Sequence, residues 1–179
     1  VYATLIILAV LAFMIFMFDH TRFGYDYRAL KEGHELANHS MHHLHMSWLS
    51  REEVICEVED LQRLLRPFGV TPSLFRPPYL DHNEGVLSCI PMAFIAGASN
   101  RDWMEETDAA QRLRLAKAAA EDGAILLMHC FEGNDATVEM LEVFLPWLRE
   151  QGYGITTVSD LFARKGITPQ PGRVYDRAE

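Results

Sequence analysis

Cysteine is scarce in this chain: three in 179 residues (Cys56, Cys89 and Cys130), far apart and with no C-x-x-C pair. That excludes a disulfide framework, reads the three as ordinary buried thiols, and leaves the compartment open. Basic charge is also short. Sixteen Lys and Arg face twenty-five Asp and Glu, for a net charge of −9. The chain has the wrong sign to neutralise phosphates, so no nucleic acid is expected as a partner. Internal repeats and low-complexity tracts are missing, and 49% hydrophobic with 23% charged residues excludes a disordered or collagen-like chain. The length suits one domain.

Charge is absent altogether from residues 1–18, VYATLIILAVLAFMIFMF. An uncharged run of this length is long enough to cross a hydrocarbon core as a helix, and it reads equally as a buried parallel strand over Tyr2–Val10. A secretory signal fits less well, because no basic stretch precedes the run and no small-residue cleavage site closes it. Membrane association through residues 1–18 is therefore one expectation for this segment.

Beyond Asp19, short apolar runs alternate with amphipathic ones. Tyr25–Glu32 reads as a short helix stopped by Gly33. Leu49–Arg66 is a stronger helix, with Ser50 and Glu53 as a capping box and Val54, Val58, Leu61 and Leu65 at helical spacing. Pro67 and Gly69 end it. Leu74 and Phe75 form a short strand, Met92–Ala98 another, and Thr107–Glu121 a helix capped by Thr107. Ala124–Met128 reads as a buried strand, Thr137–Glu150 as a helix, Gly154–Val158 as the last strand and Asp160–Arg164 as a short helix. Such alternation argues for a parallel α/β sheet or barrel. The pattern divides into an apolar segment (1–18), a main domain (19–168) and a loosely held polar tail (169–179).

Histidine is concentrated where chemistry would need it. His39, His42, His43 and His45 fall within seven residues. His39 and His43 are four apart, so one helical turn would put both imidazoles on one face, able to share a divalent ion. A polar, half-exposed loop is the plainer alternative. Arg76-Pro77-Pro78-Tyr79 follows a strand, as either a ligand-collecting corner or a rigid turn. Asp102-Trp103 lies just beyond another strand. His129 ends the run AILLM, either as a reactive imidazole or as a satisfied core histidine. Together these residues sit at the ends of successive strands, where a parallel barrel gathers its site.

The ordered motifs His39-Ser40-Met41-His42-His43, Phe75-Arg76-Pro77-Pro78-Tyr79, Asp102-Trp103 and Leu126-Leu127-Met128-His129 resemble those of the polysaccharide deacetylases of the NodB-homology group (carbohydrate esterase family four). The lead-in Gly33-His34-Glu35-Leu36-Ala37-Asn38 and the closing stretches Gly133–Val138 and Gly152–Phe162 are similar too. The resemblance spans roughly residues 27–168 and implies an α/β fold: a distorted parallel (β/α) barrel, here missing its first strand. It implies hydrolysis of N-acetyl or O-acetyl groups on a polysaccharide such as peptidoglycan or chitin oligomers, in an extracytoplasmic or membrane-associated setting. His39 and His43 would hold a divalent metal, commonly zinc. Such an ion polarises the acetyl carbonyl and lowers the pKa of bound water. Tyr79 would offer its backbone N–H to the oxyanion. His129 would act as general acid with Asp102 tuning it, Trp103 and Leu127 would wall the acetyl methyl, and Arg76 would orient the base.

Two departures stand out. Leu80 replaces the glycine that usually follows the tyrosine. The first motif, T-F-D-D, which carries the base aspartate and third metal ligand, has no counterpart. Phe18-Asp19-His20 is only a passing likeness, and Asp19 and Asp26 are poorly placed substitutes. Three expectations follow: a metal-dependent deacetylase, a catalytically impaired relative or saccharide-binding module, and a membrane-tethered domain.

Overall fold

The computed structural model describes residues 32–179. The apolar run 1–18, the expected helix at Tyr25–Glu32, and Asp19 and Asp26 lie outside the described residues, apart from Glu32, which sits in a turn.

The first α-helix among the described residues, α1 (Arg51–Leu65), starts as its sequence dictates: Ser50 Oγ accepts from Glu53 N–H and the Glu53 carboxylate reaches back to Ser50 N–H. It runs through a single turn (Arg66–Phe68) to Gly69 at φ 74°. Then come β1 (Leu74–Phe75), α2 (Glu84–Cys89), β2 (Ala93–Ile95), β3 (Ala98–Ser99), α3 (Ala109–Ala119), β4 (Leu126–Leu127), α4 (Asp135–Glu150), α5 (Val158–Arg164) and β5 (Val174–Tyr175). All named strand pairs are parallel, in two sheets of order β1-β2-β5 and β3-β4. The α/β class is as the sequence indicates, and among the described residues the sheet does not close into a barrel.

Three apolar clusters hold these layers. One packs Val54 and Val58 of α1 on Phe75, Val86 and Phe94; a second packs Phe162 of α5 on Ile95, Ile125 and Tyr175; a third joins Ala116 of α3 to Met140, Phe144 and Leu148 of α4. A groove of about 590 Å³ lined by Leu126, Met128, Leu141, Ile155 and Leu161 runs beside β4.

Several expectations need correction. The strand expected over Met92–Ala98 is split at Gly97 (φ 82°), where a side chain would collide with the Ile125 carbonyl oxygen 3.0 Å from its Cβ position. This kink redirects the chain from β2 to β3. Asp108, not Thr107, caps α3, forming its own capping box with Gln111. The Thr107 hydroxyl instead closes the preceding turn on the Arg101 and Met104 carbonyls. Residues 154–157 are not a strand: Ile155 is exposed and no neighbouring strand among the described residues offers them a ladder.

The tail is not loose. Val174–Tyr175 pairs with β2, Tyr175 and Ala178 are buried, and Arg177 bridges to Ala124. Nor are the thiols buried. Cys56 and Cys130 are exposed and Cys89 is half-buried, because Cys56 falls between Val54 and Val58, on the opposite face of α1 from both.

Candidate active site

The histidine segment begins at Asn38, which is 0% exposed. Its backbone joins β1 through Leu74 O and Arg76 N–H. Its side chain donates to Val58 O and accepts from Ser40 N–H. The four-residue spacing of His39 and His43 is not realised as a helical turn. Ser40 (φ 62°) and His43 (φ 57°) are left-handed, and Ser40 Oγ accepts from His43 N–H. This tight loop still brings the two rings edge-on, with centroids 5.0 Å apart.

Glu57 of α1 holds the loop from beneath. Its carboxylate accepts from the N–H groups of Met41 and His42 and lies 2.7 Å from His42 Nδ1. Burial alone would raise its pKa, but the bonds and charge of His42 and the Met41 N–H outweigh that and hold it below the usual value. His39 is tuned differently. Burial lowers its pKa from 6.5 to about 4, the bond to the Arg76 carbonyl opposes this, and the charges of Arg76, His43 and His129 add to it. A carbonyl oxygen only accepts, so Nδ1 carries the proton and Nε2 keeps its lone pair at neutral pH.

Arg76 leaves β1 into a turn at Pro78–Leu80 in which both Tyr79 (φ 57°) and Leu80 (φ 54°) are left-handed. Where the sequence departs from glycine, the backbone has kept the conformation that favours one. Holding a leucine there costs roughly 1 kcal/mol. Burial lowers the pKa of the Arg76 guanidinium, opposed by the nearby charges of Cys130 and Asp102. Among the described residues no carboxylate pairs with it.

Across the cleft, Asp102 is 0% exposed. One carboxylate oxygen lies 2.8 Å from His129 Nδ1, and the other accepts from His129 N–H. His129 Nδ1 therefore donates, which fixes the tautomer of the neutral ring and leaves Nε2 as the nitrogen that can gain or lose a proton. A buried Arg112 supports this arrangement: it donates to Asn134 Oδ1, Thr137 Oγ1 and the Thr107 carbonyl, while Asn134 Nδ2 donates to the His129 carbonyl. Trp103 meets the His129 ring edge-on at 5.6 Å and is half exposed, whereas Leu127 is buried in β4.

His39, His43, Tyr79, Arg76, Asp102 and His129 thus lie near one another, linked by ring contacts and by the electrostatic influence of His129 on His39 and of Asp102 on Arg76. Sequence reasoning missed Asn38, Glu57 and Arg112. Glu57 was findable: it shares the apolar stripe of α1 with Val54, Leu61 and Leu65, and a charge there needs a buried partner.

A family model described as polysaccharide deacetylase matches residues 26–90. A bifunctional xylanase/deacetylase of Pseudobutyrivibrio xylanivorans is 36% identical over 79% of this chain and 24% of its own length. A peptidoglycan-N-acetylglucosamine deacetylase of Bacillus cereus is 34% identical over 77% of this chain and 68% of its own. The chain belongs to the polysaccharide deacetylase family. A family 4 acetyl xylan esterase from Clostridium thermocellum, solved with a cobalt ion, superposes with TM-score 0.80 at 30% identity, covering 84% of this chain and 76% of that one. The present chain therefore spans about a quarter of the xylanase/deacetylase and about two thirds of the Bacillus enzyme.

Membership of this deacetylase family implies a divalent metal in general. The donors present fit one only in part. His39 offers a neutral, oriented nitrogen and His43 stands beside it, but among the described residues no group of three His, Cys, Asp or Glu converges. Two imidazoles without a carboxylate do not complete such a centre. Among the described residues, too, no helix is long and apolar enough to cross a membrane.

Proposed function

We propose that this chain, taken by itself, is a polysaccharide-deacetylase domain that binds acetylated saccharide and is impaired as a catalyst. One observation carries the reading: among the described residues the acid side of the site has its partners and the base side lacks a carboxylate. On the acid side, His129 Nε2 would exchange a proton with the departing amine. Asp102 would hold its ring and stabilise the imidazolium. The Tyr79 backbone N–H would face the oxyanion, and Trp103 and Leu127 would border the acetyl methyl. On the other side, His39 and His43 stand as two nitrogen donors, zinc being the metal expected of such a pair. Arg76 has no described carboxylate to orient. With no base among the described residues to take its proton, water is a poor nucleophile at neutral pH, and binding survives where turnover does not.

A competent deacetylase is the second reading. It is favoured by His39, whose neutral ring is oriented by a carbonyl as a metal ligand's would be. The test measures acetate release from N-acetylated chito-oligosaccharides and acetylated xylan with zinc supplied, beside calorimetric binding of the same glycans. The expected result is binding, with acetate release no greater than that of His39→Ala. Release that disappears in His39→Ala overturns the impaired reading and establishes the second. The related Bacillus enzyme is named for peptidoglycan and the Clostridium one for xylan, so both glycans belong in the assay. A cell-wall substrate would place the domain outside the cytoplasm.

A further inference from the structure

Trp48 is 80% exposed, an unusual position for a side chain with so much apolar surface to bury. It is nevertheless fixed. Its ring stacks on His45 with centroids 4.2 Å and planes 24° apart, and His45 stacks on Tyr79 at 4.0 Å and 12°. Tyr79 meets His43 edge-on at 4.8 Å, and His43 meets His39 at 5.0 Å. Five rings therefore form a continuous strip from the half-buried His39 out to Trp48.

The outer end of the strip is anchored by the turn Met46–Trp48, whose Met46 is fully buried. Asp81 secures it from the side: one carboxylate oxygen accepts from both Ser47 N–H and Ser47 Oγ and lies 3.5 Å from His45 Nδ1. Burial would raise the Asp81 pKa, but the bonds from Ser47 and the His45 charge outweigh it, so the carboxylate stays ionised.

We propose that the Trp48–His45–Tyr79 stack is an outer saccharide subsite, on which a pyranose ring of a neutral glycan lies while another unit of the same chain occupies the histidine cleft. This rests on the saccharide-binding reading above. A pyranose presents an apolar C–H face and a rim of hydroxyls. The open face of Trp48, with His45 and Tyr79 stacked behind it, matches that face. The Asp81 carboxylate beside them can accept from a hydroxyl at the rim. The occupant is argued from continuity, since Tyr79 belongs to both the strip and the cleft, and from charge. A chain of net charge −9 repels an anionic polymer and is indifferent to a neutral one.

The test titrates the wild-type chain, Trp48→Ala and Trp48→Phe with N-acetylated chito-oligosaccharides of two and of five units by calorimetry. Circular dichroism checks the fold, and sedimentation velocity follows association. Trp48→Ala is expected to lower affinity for the five-unit glycan about tenfold, leave the two-unit affinity unchanged, and be largely rescued in Trp48→Phe. Unchanged five-unit affinity overturns the subsite while the saccharide-binding reading stands. Equal loss at both lengths also overturns it, making Trp48 a support of the histidine loop. If the wild-type chain binds neither glycan, both readings fall. Self-association abolished by Trp48→Ala, with glycan affinity intact, assigns the strip to a contact between copies and overturns the proposal.

Discussion

Two carboxylates serve histidines on opposite sides of the cleft, and they serve them differently. Asp102 is fully buried and holds His129 by both its ring and its backbone, so the imidazole cannot turn without breaking its bond to a carboxylate that the backbone N–H keeps in place. Glu57 grips the backbone of Met41 and His42 and the ring of His42. Neither His39 nor His43 is bonded to it. Their placement comes instead from a backbone carbonyl, a left-handed turn and ring contacts. One side of the proposed site is therefore preorganised through the His129 ring itself, and the other through the loop that carries His39 and His43. A proton-transferring residue needs a fixed tautomer. A ligand pair needs only proximity until a third donor locks it.

The largest expected effect lies on the more rigid side. Asp102→Ala strips the acceptor from two His129 donors inside the protein and is expected to cost about 3 kcal/mol, read from chemical denaturation. Glu57→Ala is expected to cost about 1.5 kcal/mol, because the freed Met41 and His42 groups regain water. Its NMR shift changes should concentrate in residues 38–45. Equal costs for the two substitutions would break the contrast between the two sides.

His39 sharpens the contrast by pH. Its folded pKa of about 4 lies below the unfolded 6.5, so the unfolded state binds the proton more readily between these values. The stability linked to this residue is full above pH 6.5 and is lost as pH falls toward 4. Its ring-proton NMR titration should centre near pH 4, and His39→Gln should flatten that part of the stability profile. Leu80→Gly is the smallest change. Relief of the left-handed leucine exceeds the extra chain entropy of glycine by about 0.5 kcal/mol, giving a small rise in melting temperature.

The candidate site residues were legible because their motifs are short and local: His39 and His43, Arg76 to Tyr79, Asp102 and His129 each sit beside a strand end. Helices were readable for the same reason, since Ser50 with Glu53 and the Val54 to Leu65 stripe are local patterns. What escaped was pairing at a distance. Tyr175 looked like part of a polar tail because nothing near it in sequence reveals that Phe94 and Ile95 need a neighbour. Residues 154–157 had strand composition, but a ladder partner is a tertiary property. Thr107 and Asp108 are both good caps, and only the turn at Arg101 and Met104 decides between them. No local pattern singles out Arg112 on α3, although it anchors the loop behind His129.

The position of β2 between β1 and β5 bears on how the chain acquires its fold. Leu74 meets Ala93 across a segment that holds only α2 and one turn, whereas Phe94 meets Val174 only after α3, α4 and α5 have been made. Closing so long a loop is entropically costly, which makes β5 a late arrival. During synthesis, Phe94 and Ile95 therefore wait as an unpaired apolar edge until residues 174–175 have left the ribosome. Such an edge is open to mispairing. A chain truncated before residue 174 would keep that edge without its partner strand.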